Sequence, residues 1–164
     1  MSVLIVYGTK YGFTTQCVDA LASELQDEDI KKINLQTDNL PNLSGFDKII
    51  IGGSIYAGML RKNVKKFCQE NKGIILDKKI GLFITCASDG ETAEKQLHSN
   101  FDDELYQHAT VKDYLGGKFD SEKAKFFDRF IIKMVSKSNK DKPQKIFGIE
   151  KERVRLFAEK MNQL

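Results

Sequence analysis

Tryptophan is missing from the 164 residues, and only two prolines, two histidines and three cysteines occur. Cys17, Cys68 and Cys86 are odd in number, far apart and form no Cys-x-x-Cys. They fit a reduced, cytosolic chain better than a disulfide framework. His98 and His108 have no neighbouring ligand pattern, so no metal centre is expected. Long apolar runs are also missing. The longest uncharged stretch, Ile49 to Leu60, has twelve residues, against the roughly 20 that a membrane-spanning helix needs. No basic segment leads into an apolar stretch near residue 1, so no signal peptide is expected and the chain reads as cytoplasmic. At 41% hydrophobic residues, a collagen-like fibre and a disordered tail are both excluded. The length suits a single domain over 1–164, large enough to bury roughly 70% of the unfolded surface.

The net charge of +3 is unevenly spread: residues 1–110 carry 12 Lys+Arg against 15 Asp+Glu, and residues 111–164 carry 14 against 8. The body is acidic and the last third basic.

Val3-Leu4-Ile5-Val6-Tyr7, Ile49-Ile50-Ile51 and Ile80-Gly81-Leu82-Phe83-Ile84 are short continuous apolar runs, as in strands buried on both faces. Residues 30–35 and 111–115 are more polar, as edge strands are. Helical faces appear at Cys17, Val18, Leu21, Ala22 and Leu25, at Val64, Phe67 and Cys68, and at Val154, Phe157, Ala158 and Met161. Residues 91–108 also read as helical. The alternation β-α-β-α-β-α-β-α-β followed by helices predicts a doubly wound α/β fold. Buried first, third and fourth strands with polar second and fifth strands predict a five-stranded parallel sheet in the order 2-1-3-4-5, the flavodoxin-like and receiver-like order. Ligands of such sheets bind at the carboxyl ends where the order reverses.

The first strand leads into Tyr7-Gly8-Thr9-Lys10-Tyr11-Gly12-Phe13-Thr14-Thr15. Hydroxyls on Thr9, Thr14 and Thr15, a glycine and amides opening a helix make an anion cradle. Neither the Walker spacing nor Gly-x-Gly-x-x-Gly is present, and the acidic pair of a receiver domain is replaced by Gly8 and Thr9. Thr-x-x-Gly-x-Thr resembles the FMN phosphate loop of flavodoxins, which usually have a second Ser or Thr where this chain has Tyr11. An ordinary polar strand-to-helix turn is the competing reading.

The third strand ends in Gly52-Gly53-Ser54-Ile55-Tyr56-Ala57-Gly58, and the fourth in Thr85-Cys86-Ala87-Ser88-Asp89-Gly90. Tyr56 reads either as a wall for a flavin ring or as a half-exposed loop aromatic. Cys86 reads either as a flavin contact or as a buried inert thiol. Gly52-x-Ser54-Ile55-x-x-Gly58 together with Phe127-Asp128-Arg129-Phe130-Ile131-Ile132-Lys133 resembles the flavodoxin-domain family of menaquinone-dependent protoporphyrinogen dehydrogenases. That resemblance spans nearly the whole chain. It implies FMN held by Thr9, Lys10, Tyr11, Gly12, Phe13 and Thr14, by Ser54, Ile55, Tyr56, Ala57 and Gly58, and by Thr85, Cys86, Ala87 and Ser88. No catalytic side chain is implied. The family's enzymes carry a strongly basic segment after the fourth strand, whereas residues 89–105 are acidic here.

An added helix is expected over residues 121–138, between the fifth strand and the last helix. Phe127, Phe130, Ile131, Met134 and Val135 form its packing stripe, and Lys125, Arg129, Lys133 and Lys137 recur on another side. That basic face reads as a surface for an anionic membrane, an acidic redox partner or an anionic substrate, or as a solvated face. Nucleic acid is not expected, because no aromatic or motif pattern accompanies the lysines. The chain therefore reads as an FMN-binding redox protein acting with a redox partner protein or a quinone. The alternatives are a single-electron shuttle without substrate turnover and a flavodoxin-shaped interaction module.

Overall fold

Continuous apolar runs are stable only where both faces of a strand are covered. The computed structural model, which describes residues 1–117 and 148–164, places all three of them there. In chain order the elements are β1 (Ser2–Gly8), α1 (Phe13–Glu24), β2 (Asp29–Asn34), β3 (Lys48–Tyr56), β4 (Met59–Leu60), α2 (Lys62–Glu70), α3 (Lys72–Leu76), β5 (Lys79–Thr85), α4 (Gly90–Asn100), α5 (Asp103–His108), β6 (Val111–Tyr114) and α6 (Lys151–Asn162). Parallel pairing runs β2-β1-β3-β5-β6, which is the expected 2-1-3-4-5 order of the parallel strands. Polar edges also hold: β2 keeps only Ile33 buried, and Lys112 and Asp113 of β6 are half-buried.

Register sorts the side chains by face. Leu4, Ile49 and Ile80 stand abreast across three strands, as do Val6, Ile51 and Leu82. They pack under Val64 and Phe67 of α2, Ile75 of α3, Leu97 of α4 and Leu105 of α5. On the other face Val3, Ile5 and Ile50 meet Val18 and Leu21 of α1 and Phe157 and Met161 of α6. Two glycines make room there. A Cβ on Gly52 would lie 2.4 Å from the Phe83 ring, and one on Gly81 would lie 2.8 Å from Phe157. Phe83 and Phe157 meet edge to face at 6.5 Å between centroids, a favoured aromatic geometry.

Three expectations change. A sixth strand, β4, folds back antiparallel on the end of β3. No α-helix joins the second and third strands; residues 35–47 hold a single 3₁₀ turn (Leu43–Gly45). Asn-Leu-Pro-Asn-Leu-Ser-Gly offers turn formers instead of an apolar stripe, so Leu43 and Phe46 cover the sheet from a loop. Residues 91–108 split into α4 and α5, because Phe101 turns extended and Asp102 caps α5, accepting from Leu105 N–H at 3.3 Å. The added helix expected at 121–138 lies outside the described residues. Among the described residues no helix is long and apolar enough to cross a membrane.

The amino edge of the sheet is closed by a buried ion pair. Lys48, 1% exposed, sits 3.1 Å from Asp27 Oδ1 and donates to the Met161 carbonyl at 2.9 Å. It ties the α1–β2 connection to the last turn of α6.

Candidate functional site at the carboxyl edge

Strand order reverses between β1 and β3, so their carboxyl ends open a crevice. The loops after β1, β3 and β5 converge on this edge. Thr9 is buried, and its hydroxyl accepts the Gly12 N–H at 3.0 Å, closing a tight turn. Gly12 then adopts φ +87° with open space around its α-carbon, and α1 starts at Phe13 with no side-chain cap. Only glycine reaches that backbone region without strain. The opening N–H groups of α1 and its dipole give this turn a positive electrostatic end.

Thr14 has a structural role as well. Its hydroxyl is fully buried and shares a 2.9 Å hydrogen bond with the Thr85 hydroxyl. Both are thus engaged in pinning the start of α1 to the end of β5, which fixes two of the three loops relative to each other. Ser54, the register partner of Thr85 on β3, has a buried Oγ without a partner.

The β3–β4 hairpin forms the next wall. Ile55 pairs with Leu60 and Tyr56 with Met59, leaving Ala57 and Gly58 as the turn. Their φ values of +49° and +76° are those of a type I′ turn, whose twist matches the flanking strands. Alanine in that region is strained by about 1–2 kcal/mol. The Lys10 ammonium lies 3.2 Å from the Tyr56 ring centroid and 5.3 Å from that of Tyr11. It bridges the first loop to the hairpin as a cation–π contact. One face of Tyr56 is therefore covered by Lys10, so a planar ligand would have to use the other face or displace the lysine. Arg61, just past the hairpin, has a buried Nε without a partner beside a cleft of about 370 Å³ that Tyr56, Met59 and Asn63 also line.

The third wall follows β5. Cys86 is buried and donates its thiol to the Ser88 carbonyl at 3.3 Å, while Ala87 is exposed. Burial pushes the Cys86 thiol up to about 11 from 9.0, which keeps it protonated and poorly nucleophilic. Burial likewise pushes Cys17 and Cys68 up to about 12. The chain leaving β6 passes directly over this wall: Gly116 accepts from Cys86 N–H at 3.0 Å, and a Cβ on Gly117 would lie 1.9 Å from the Cys86 carbonyl. Gly116 also bridges to Ile149. The chain therefore departs and re-enters beside the Cys86 loop.

The structure brings Thr9 to Thr14, Ser54 to Gly58 and Thr85 to Ser88 to one edge, as the sequence grouping implied. Arg61, Tyr114 and Asn100 also take part in this edge and escaped the sequence reading, since none belongs to a loop motif. A separate hollow of about 310 Å³ lies between α2 and α4–α5. Its Lys72 is held by Asp102 and Glu104, each at 2.7 Å.

Comparison with known proteins agrees with the fold. The fold is shared at a TM-score of 0.59 and 15% identity with a short-chain flavodoxin associated with a non-canonical PDU bacterial microcompartment, covering 99% of this chain and 98% of that one. A flavodoxin of Streptococcus pneumonia TIGR4 gives 0.55 and 16% identity, with 99% of both chains covered. A flavodiiron core from Synechocystis sp. PCC6803 gives 0.55 and 15% identity; 99% of this chain is covered, but only 36% of that one. No curated protein matches the sequence. The Flavodoxin domain family matches residues 4–145. The chain belongs to the flavodoxin domain family.

Proposed function

We propose that the carboxyl edge holds FMN and that the protein is a flavin-dependent redox protein. The observation that carries this reading is the uncapped, glycine-initiated start of α1 at the switch point of the sheet. The turn Thr9 to Thr14, where N–H groups and the helix dipole favour an anion, would hold the phosphate. The hairpin Ser54 to Gly58 and the loop Thr85 to Ser88 would hold the ring. Ser54 Oγ, otherwise an orphaned buried hydroxyl, gains a partner there, removing a cost of about 1–3 kcal/mol. Membership of the flavodoxin domain family supports the same cofactor.

FMN supplies the electron or hydride chemistry; the protein supplies position and electrostatics. Lys10 and Arg61 place positive charge on the hairpin side, and Asp89 and Glu91 place negative charge at the start of α4. No side chain is assigned as an acid or base. The partner in this reading is a redox protein or a quinone. The finer reading, a quinone-linked protoporphyrinogen dehydrogenase, draws on Phe127 to Lys133, outside the described residues. The deciding experiment is anaerobic stepwise reduction of the FMN-loaded protein, followed by turnover assays. Two separated one-electron steps without turnover make it a shuttle. A single two-electron step with oxidation of protoporphyrinogen by menadione makes it a dehydrogenase. A correctly folded protein that takes up no FMN refutes both.

A further inference from the structure

The hairpin wall is a two-stranded ribbon with a two-residue turn, and so short a ribbon is not stable alone in water. Besides the burial of Leu60 and the Lys10–Tyr56 contact, one buried side chain at the far end of α4 holds it by hydrogen bonds. Asn100, 7% exposed, accepts the Leu60 N–H at 2.8 Å through Oδ1 and donates to the Gly58 carbonyl at 3.0 Å through Nδ2. Its second amide hydrogen goes to the Gln96 carbonyl at 2.9 Å, back in its own helix. All three bonds require the amide in this orientation: exchanging O and N would set an N–H against the Leu60 N–H and an oxygen against the Gly58 carbonyl. An aspartate keeps only the acceptor, and an alanine keeps neither.

The other end of α4 is fixed independently. The Tyr114 hydroxyl accepts the Gly90 N–H at 3.1 Å, the Arg153 guanidinium lies 3.8 Å over the Tyr114 ring, and Arg153 pairs with Asp113 at 2.6 Å. Helix α4 therefore begins at the Cys86–Asp89 wall and ends on the hairpin wall. Over 11 residues it is a strut of about 16 Å.

We infer that Asn100 is a positioning residue for the cofactor site: it sets the width of the slot between the hairpin and the Cys86 loop, and with it the attitude of the Ala57–Gly58 turn toward the ring. This rests on the FMN reading above. Asn100 itself touches the turn's Gly58 carbonyl and the strand behind it, not the ring. The bond to Gly58 leaves this carbonyl facing α4 and fixes the backbone on one side of the Ala57–Gly58 peptide. Losing it frees the turn to move against whatever lies in the slot.

The test compares Asn100→Ala and Asn100→Asp with Leu97→Ala, all in the full chain. Leu97 is buried one turn earlier in α4 and touches the core but makes no bond to the hairpin. Each variant is measured for thermal stability without FMN, FMN affinity, flavin midpoint potential and amide exchange at Leu60. Both Asn100 variants are expected to bind FMN roughly tenfold more weakly, the scale of one lost buried hydrogen bond. Their midpoint potentials shift from that of the parent protein. Leu60 exchange quickens in Asn100→Ala and stays slow in Asn100→Asp, which retains the acceptor. Leu97→Ala loses stability and keeps the parental affinity and potential. Parental affinity and potential in Asn100→Ala would overturn the inference, and so would equal losses in Leu97→Ala. Absence of FMN uptake by the parent protein overturns the function reading itself, and the positioning role with it.

Discussion

The two edges of the sheet are built on opposite rules. At the amino edge Lys48 and Asp27 pair in the interior, the Met161 carbonyl completes the lysine's shell, and Asp47 accepts Ser2 N–H at 2.8 Å. At the carboxyl edge, Ser54 Oγ and Arg61 Nε are buried without partners. All the positive-φ residues among those described follow strand ends on this same edge: Gly12, Ala57, Gly58 and Gly116 between elements, and Gly90 as the first residue of α4. One edge is arranged for stability. The other accepts strain and unmet polar groups, as expected where a ligand is to complete the set.

That contrast can be broken most forcefully at Lys48. Replacing it with alanine leaves the buried Asp27 carboxylate with only the Met1 ammonium at 3.9 Å among the described residues, and urea unfolding should show a loss of about 3 kcal/mol. FMN affinity per folded molecule should remain parental. If affinity falls in step with stability, the edges are not separable.

Gly12→Glu is the reciprocal experiment. A carboxylate beside the proposed phosphate should cost about 2–3 kcal/mol of binding, near a hundredfold in Kd. Gly12→Ala carries the same backbone strain without the charge and should lose much less. Equal losses in a fluorescence titration would mean that backbone shape, not charge, governs the loop.

Gly52→Ala tests the region where the edges meet. Its Cβ would lie 2.4 Å from the Phe83 ring, so overpacking of about 1–3 kcal/mol is expected in denaturant melts.

The thiols offer a subtler check. Unfolded cysteines ionise near 9, whereas Cys86 holds its proton to about 11 and Cys17 and Cys68 to about 12. Above pH 9 the folded state binds more protons, so stability falls as pH rises through that window. Urea melts at pH 8 and pH 10.5 read the slope. Alkylation at pH 8 should be slow when folded and fast in urea.

Smallest of all is Ala57→Gly. Relief of the left-handed strain is offset by the freedom glycine gains when unfolded, leaving a change within about 1 kcal/mol.

Sheet order was legible because burial on both faces forces a continuous apolar sequence, as in Val3 to Tyr7 and Ile49 to Ile51, and edge position permits the polar Ile30 to Leu35. The turn of the first loop was legible because glycine and hydroxyls cluster there at short spacing, and the structure gives that glycine a positive φ in a turn closed by the Thr9 hydroxyl. What stayed hidden were contacts made across the chain. The Lys48–Asp27 pair spans the α1–β2 connection and the start of β3, and nothing in Asp47-Lys48-Ile49 separates a buried lysine from an exposed one. The Thr14–Thr85 bond joins residues 71 positions apart, so in the sequence both threonines read as hydroxyls available to a ligand. Tyr-Ala-Gly-Met could have signalled a tight hairpin, yet alanine is a poor marker for a left-handed position. Asn100, at the end of a polar helix, has no local pattern that sets it apart.

The central claim is that the carboxyl edge is a cofactor cradle, and backbone amide NMR during FMN titration tests it most directly. The account predicts stoichiometric uptake, with perturbations concentrated in Thr9 to Thr14, Ser54 to Gly58 and Thr85 to Ser88, while Ser2, Asp47 and Lys48 stay still. Uptake that instead perturbs Lys65, Lys72 and Asp102 around the other hollow, or a folded protein whose spectrum FMN leaves unchanged, would contradict it.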